Sequence, residues 1–171
     1  TDKPGTTYNY SNIGAALAAY VTERASGISY ESFTQKYIFD PLDMNSTYWD
    51  ASVYASPLMA TRYFADQSSV PAYLLITRAD GGLYTTNNDF SSYLIEMLKG
   101  SRGSGTILTN ASYIELFTPQ NIKGERSGLF WALSDTNQPN HSGADPGIVA
   151  FSKIFPKRNK GYFFMTNISA D

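Results

Sequence analysis

A chain of 171 residues with 42% hydrophobic and 16% charged residues has a globular composition and room for one ordinary core, which excludes general disorder. A formal charge of -2 gives no electrostatic reason to expect a polyanionic partner, and the short basic run Lys153–Lys160 reads as a solvated hairpin turn, so nucleic-acid binding is not expected. With no cysteine and one histidine, His141, disulfides, thiolate nucleophiles and Cys-ligated metals are excluded, and neither a protein-built metal site nor a cofactor is expected.

No apolar run reaches membrane-spanning length, and the N-terminus carries no charged-then-apolar signal pattern. The turn residues Thr1-Asp2-Lys3-Pro4-Gly5-Thr6-Thr7 lead straight into a helix, the beginning expected of a cut fragment. The first periodic element runs from about Asn12 to Ser26, with Ile13, Leu17, Tyr20 and Val21 as its apolar stripe, Ser11 or Asn12 as N-cap and Gly27 as C-cap. Ser29 offers an N-cap for a helix over Tyr30–Tyr37 with Phe33, Tyr37 and Ile38 on its apolar face, closed by Pro41. From Trp49 to Pro71 the aromatic but aperiodic sequence predicts loop with short strands. Asp80-Gly81-Gly82-Leu83-Tyr84 predicts a turn, and Asn87 or Asn88 caps a helix over Asp89–Leu98 with Phe90, Tyr93, Leu94, Met97 and Leu98 inward. A Gly/Ser turn over Ser101–Gly105 precedes a short helix over Asn110–Phe117, stopped by Pro119.

The last third changes character. Gly128–Leu133, Gly147–Phe155 and Gly161–Asn167 are short, rich in aromatic and β-branched residues, and separated by Gly, Pro and Asn turns. Helices followed by a C-terminal antiparallel three-stranded meander define an α+β class rather than alternating βαβ units. The chain reads as a single partial domain over 1–171, mostly helix and loop over 1–125 and strands over 126–171.

No Ser-x-x-Lys and no Gly-x-Ser-x-Gly occurs anywhere, so the sequence contains neither of two common serine-nucleophile motifs. Two small polar constellations remain: Tyr10-Ser11-Asn12 at the mouth of the first helix, and His141-Ser142-Gly143, placed between the first two strands and just before the second. Around them, Pro4-Gly5-Thr6 with Tyr8-x-Tyr10-Ser11-Asn12-x-Gly14 resembles a signature of the serine beta-lactamase-like family, which includes class C beta-lactamases, DD-peptidases and esterases. Ser26-Gly27-x-Ser29-Tyr30-x-x-Phe33 and Ile38-Phe39-x-Pro41-Leu42-x-Met44-x-x-Thr47 extend the resemblance, with Asp43 where that family usually has glycine. Gly81-Gly82-Leu83-Tyr84-x-Thr86-x-x-Asp89-Phe90, then His141-Ser142-Gly143 with Pro146-Gly147, and finally Met165-Thr166-Asn167, continue it in the family's order. Each segment alone is weak; the ordered set covers most of the chain.

The resemblance implies a beta-lactamase/transpeptidase-like fold lacking its N-terminal portion, with a nucleophile Ser-x-x-Lys outside this chain. It implies Tyr10 as general base or proton relay, Asn12 as holder of the substrate amide or of the catalytic lysine, and His141-Ser142-Gly143 as the wall of the cleft, with the Ala144 N–H as half of an oxyanion hole. The chemistry is coherent: acyl transfer needs an activated hydroxyl, a proton shuttle and fixed donors aimed at the developing oxyanion. Free tyrosine titrates near ~10, so cations must stabilise the phenolate for it to serve as a base at neutral pH; His141 is available here and the lysine is not. The partner expected is a small-molecule or peptide substrate, in a periplasmic or secreted setting. A remnant sheet would leave an edge and a face uncovered, and is expected to need the missing part, a second copy or a domain swap.

Plain structural readings stand beside these. Tyr10 near a helix start suits packing, Asn12 a simple N-cap, and His141 a surface position. Ser142 suits the small-residue demand of a cleft-lining edge, and Gly143 a backbone need. A non-catalytic peptide- or glycan-binding module that keeps the cleft is the rival function; the 13 tyrosines suit such contact and equally suit aromatic core packing.

Overall fold

The computed structural model describes residues 3, 5–49, 57–120 and 126–169; Pro4 of the first motif, the middle of the Trp49–Pro71 stretch, the end of the 1–125 portion and the last two residues lie outside that description. Helix α1 (Asn12–Ser26) begins on Ser11, whose hydroxyl accepts from the Gly14 N–H at 3.0 Å, and ends on Gly27 in the left-handed region. Helix α2 (Tyr30–Thr34) is capped by Ser29 and is shorter than the sequence pattern suggests. The chain widens into a π-turn over Gln35–Phe39 and tightens into a 3-10 turn over Asp40–Leu42. Pro41 therefore sits in the first positions of that 3-10 turn, where its missing N–H costs nothing, and does not close the helix itself. The stop falls two residues later at Asp43, with φ of 55°. The residue that stands in place of glycine thus occupies a left-handed position, which aspartate tolerates better than most side chains.

Helix α3 (Asn87–Gly100) starts earlier and ends later than its apolar stripe predicts, because Thr86, not Asn87 or Asn88, supplies the cap by accepting from the Asp89 N–H at 3.2 Å. Helix α4 (Asn110–Phe117) has the predicted limits, with Thr109 as N-cap. The strands follow: β1 (Ala132–Leu133), β2 (Pro139–Asp145), β3 (Ile148–Phe155) and β4 (Lys160–Thr166), in the order β1-β2-β3-β4 and antiparallel throughout.

Four strands stand where the sequence pattern gives three. The Gly128–Leu133 run is mostly a tight turn: the Gly128 N–H donates to the Trp131 carbonyl, Phe130 has φ of 59°, and only Ala132 and Leu133 extend. The His141 motif does not lie between strands; it is the middle of β2.

The core sits between α3, α4 and one face of the sheet. Leu94, Met97, Tyr113, Trp131 and Ile154 are its buried centre, with Tyr93, Leu98 and Phe163 packed against it. Tyr113 lies between two glycines, since a Cβ at Gly100 would fall 2.2 Å from its ring and one at Gly105 2.4 Å. Its hydroxyl donates at 2.5 Å to the buried Glu96 carboxylate, which also accepts from the Thr106 and Ile107 N–H groups. Burial raises the Tyr113 hydroxyl's pKa well above its ordinary value, and the Glu96 carboxylate adds to this. Burial opposes ionisation of Glu96, yet the bonds from Tyr113 and the two backbone donors outweigh it, and the carboxyl titrates below its usual value.

A second buried tie joins two motif segments. Asp89 accepts from the Ser46 N–H at 2.7 Å and the Thr47 hydroxyl at 2.8 Å, and Thr47 meets Thr85 at 2.9 Å.

Two apolar faces are uncovered. The α1 stripe is largely open: Ile13, Leu17, Tyr20 and Val21 are all more than half exposed. Beneath the sheet, Phe151 stacks on Phe164 at 6.0 Å and Phe155 on Tyr162 at 5.9 Å, and Tyr162 and Phe164 are about half open to solvent. No helix among the described residues is long and apolar enough to cross a membrane.

Because the Glu96 carboxyl is held below its unfolded value, its share of stability is present above the ordinary carboxyl range and disappears as pH falls through the lowered value. Replacing Tyr113 by Phe in the full-length gene product should cost about 1.5–3 kcal/mol at neutral pH, the range for a bond to a charged group. Urea unfolding between about pH 3 and pH 7 should then show a flatter acid limb in the variant than in the parent.

Candidate active site

The site is built where the start of α1 meets the middle of β2. Tyr10, Ser11 and Asn12 form the approach to α1; the Ser11 hydroxyl is committed to its cap, and Asn12 is the first helical residue, exposed to solvent. Tyr10 is 62% exposed, so its phenol is open to a ligand. Its ring centroid lies 6.4 Å from that of His141, tilted by 50°. Two residues far apart in the chain thus come together.

The register of β2 fixes the rest. Opposed residues in an antiparallel pair share a face, so His141 lies with Ser152 and Phe163, and Gly143 with Ala150 and Met165, on the face that α3 covers. Ser142 and Ala144 pair with Phe151 and Val149 on the other face, the one carrying the exposed aromatic rings. A Cβ at Gly143 would meet nothing within 4 Å, so the surface beside Tyr10 and His141 is open at that point.

The direction of the N–H groups follows from the turn. Asp145 and Ile148 are partners across Pro146 and Gly147, and Pro146 has no N–H. The closing pair can therefore only be the kind in which both residues exchange hydrogen bonds with each other. Counting back by twos, Gly143 and His141 direct their N–H and C=O groups at β3, whereas Ala144 and Ser142 direct theirs away from it. On that far side β1 pairs only with Pro139 and Asn140, so the strand from His141 onward has an open edge among the described residues.

The end of this edge is tightly held. Gly147 has φ of 76°, and a Cβ there would stand 2.6 Å from the Arg62 Cβ and 2.7 Å from Val70. Its N–H donates to the Ser169 hydroxyl at 2.6 Å, and the Ser169 N–H donates in turn to the Tyr63 carbonyl at 3.0 Å. Tyr63 also donates to the Asn167 carbonyl at 2.9 Å, and the Asn167 side chain to Thr61 at 2.8 Å. Asp145 lies under the Asp80–Gly82 turn, where a Cβ at Gly81 would be 3.2 Å from its Oδ2. Burial, and then repulsion from Asp80, push the Asp145 carboxyl upward, with Arg62 opposing.

Sequence reasoning missed Ser169, Arg62 and Asp145. Their signal is weak, because they act on the turn from a distance in the chain. No group of acidic or His side chains among the described residues has metal-binding geometry. Two depressions of about 230 and 330 Å³ lie along α3, one lined by Pro41, Ser92 and Glu96 and the other by Leu94 and Tyr162, and neither is lined by Tyr10 or the β2 edge.

A helical layer thus lies over an antiparallel sheet, with Tyr10 and His141 facing one another beside a strand edge that is open among the described residues. The chain belongs to the Beta-lactamase family, whose model matches residues 1–171; this is a family of serine hydrolases. Among curated proteins it is similar to penicillin-binding protein 4* of Bacillus subtilis (strain 168), 24% identical over 195 residues, which take in 99% of this chain and 42% of that protein. Among solved structures, an octameric penicillin-binding protein homologue from Pyrococcus abyssi superposes with a TM-score of 0.85 at 25% identity, over 99% of this chain and 40% of that one. A class C beta-lactamase gives 0.82 at 20% identity, over 100% of this chain and 55% of that one. The chain thus spans about two fifths of the curated relative's length.

Gly147 combines a left-handed φ with two contacts that leave no room for a methyl group. Gly147→Ala should therefore destabilise the full-length gene product by about 1–3 kcal/mol or more, read as a lower denaturation midpoint in urea.

Proposed function

We propose that this chain supplies the proton-relay and oxyanion side of a serine hydrolase that cleaves an amide or ester through an acyl-enzyme, with the nucleophilic serine and its lysine contributed by residues outside it. The observation that carries this reading is the approach of Tyr10 to His141 beside the open edge of β2. The serine oxygen attacks the carbonyl carbon and its proton passes to the Tyr10 oxygen, the phenolate having been stabilised by the lysine and by His141. The oxyanion of the tetrahedral intermediate is held by the Ala144 N–H and the nucleophile's own N–H. Collapse breaks the bond to the leaving group, which takes the proton back from Tyr10; water then repeats the sequence on the acyl-enzyme.

Asn12, at the first position of α1, holds the substrate amide or the lysine. The outward peptide groups of Ser142 and Ala144 pair with an extended acyl chain, as strand addition at a free edge does, and Gly143 leaves room for it. A D-Ala-type peptide, a beta-lactam and a small ester all fit this chemistry. The setting proposed is periplasmic or secreted. The uncovered faces of α1 and the sheet are met by the remainder of the fold, a second copy or a swapped dimer, and the 171-residue chain alone should not turn over substrate.

Nitrocefin and p-nitrophenyl-ester hydrolysis by the full-length gene product should fall about a hundredfold or more in Tyr10→Phe. Turnover unaffected by Tyr10→Phe would remove Tyr10 from the relay, and no turnover even in the parent would favour a recognition cleft without chemistry. Ala144→Pro deletes one outward N–H without breaking the ladder to β3, and should lower kcat by about 10²–10³. Retention of the parent kcat in that variant would reject the N–H as an oxyanion donor.

A further inference from the structure

We propose that Ser169 is a positioning residue for the reaction: by accepting the Gly147 N–H it fixes the hairpin turn that aims the Ala144 N–H into the cleft. The inference rests on the reading of that N–H as an oxyanion donor. In a hairpin closed by the Asp145–Ile148 pair, Pro146 contributes no donor and the Gly147 N–H has no ladder partner of its own. Left unbonded it would be a buried orphan, since Gly147 is buried between Arg62 and Val70. The Ser169 hydroxyl takes it at 2.6 Å.

Ser169 is itself fixed from behind. Its N–H donates to the Tyr63 carbonyl, and Tyr63 donates to Asn167, so the segments around Tyr63 and Ser169 form a bracket of backbone bonds with the hydroxyl at its tip. The Tyr73 hydroxyl reaches the Pro146 carbonyl at a long 3.4 Å from the other side. Between the bracketed turn and Ala144 stands one residue, Asp145. Any twist of the turn is passed to the Ala144 peptide over that short span, while among the described residues the exposed stretch from His141 to Ala144 has no second strand on its open side. A donor must sit within a few tenths of an ångström of the oxyanion's place, and a displacement of about 1 Å far from the chemistry can cost about a hundredfold in rate.

The bracket sets the aim of the Ala144 N–H, whereas the pairing with the acyl chain is shared with Ser142, so its loss should appear mainly in kcat and change KM little. The test uses the full-length gene product as the parent, Ser169→Ala and Ser169→Thr, with steady-state ester hydrolysis and amide hydrogen exchange of the 139–149 segment. In Ser169→Ala, kcat should fall about tenfold with KM within about twofold, and exchange at Gly147 and at Asp145, whose N–H closes the hairpin against Ile148, should accelerate. Ser169→Thr, which keeps the hydroxyl, should restore both.

The proposal is overturned if Ser169→Ala leaves exchange in this segment unchanged, or if kcat and KM shift together without rescue by threonine, as a merely structural role would produce. Faster exchange in Ser169→Ala, reversed in Ser169→Thr, combined with a full kcat in Ala144→Pro, would support the bracket's hold on the turn and overturn the oxyanion reading instead.

Discussion

The site depends on a constraint set at one turn, the pairing of Asp145 with Ile148 across a proline that has no N–H to give. That pairing fixes the parity of β2, and parity decides which peptide groups join the ladder and which face outward. It also places His141 and Gly143 on the face that α3 covers, level with buried Ser152, and leaves Ser142 and Ala144 on the other. The meeting of Tyr10 with His141 is possible because this register brings the imidazole to the side from which α1 begins. The bracket of Tyr63, Asn167 and Ser169 fixes the turn from behind.

The helical half contributes rigidity by other means. Glu96, buried under α3, gathers a phenol and two peptide donors, and Asp89 gathers a peptide donor and a threonine hydroxyl. Asp89 joins α3 to a loop distant in sequence and Glu96 joins it to the following loop and to α4, both in buried places where an unpartnered charge would be strongly unfavourable. The motif segments around Thr47 and Asp89 are thereby joined by a structural tie.

The helices were legible because their signals are local. Ser11, Ser29 and Thr109 are side-chain caps that any reader of the sequence can find, and Gly27 marks a stop. Where local signals competed, the limits moved: Thr86 outbid the asparagines after it for the cap of α3, and Asp43 carried the stop that Pro41 suggests. Strand β2 was invisible to pattern because Pro-Asn-His-Ser-Gly-Ala-Asp has neither β-branched nor aromatic residues and no apolar alternation. An edge strand that contributes peptide groups to a cleft has no need of them. The run after Gly128 has the right composition for a strand, yet Phe130 turns left-handed and the extension is lost. Tyr10 and His141 were found by motif order alone; nothing in their local sequence says that they meet. The α1 stripe is apolar yet largely exposed, with only part of it covered among the described residues.

The parity of β2 also shapes how this sequence can change. Substitutions along its open side alter shape and charge one residue at a time, and leave every other group where it was. A single added or deleted residue within the paired part of β2 is different in kind, because, unless a bulge absorbs it, it would exchange inward for outward along the strand beyond it. The strand is therefore free to vary in side-chain chemistry but locked in length, and descendants of this chain should keep the spacing from His141 to Asp145 unchanged while the side chains along it change.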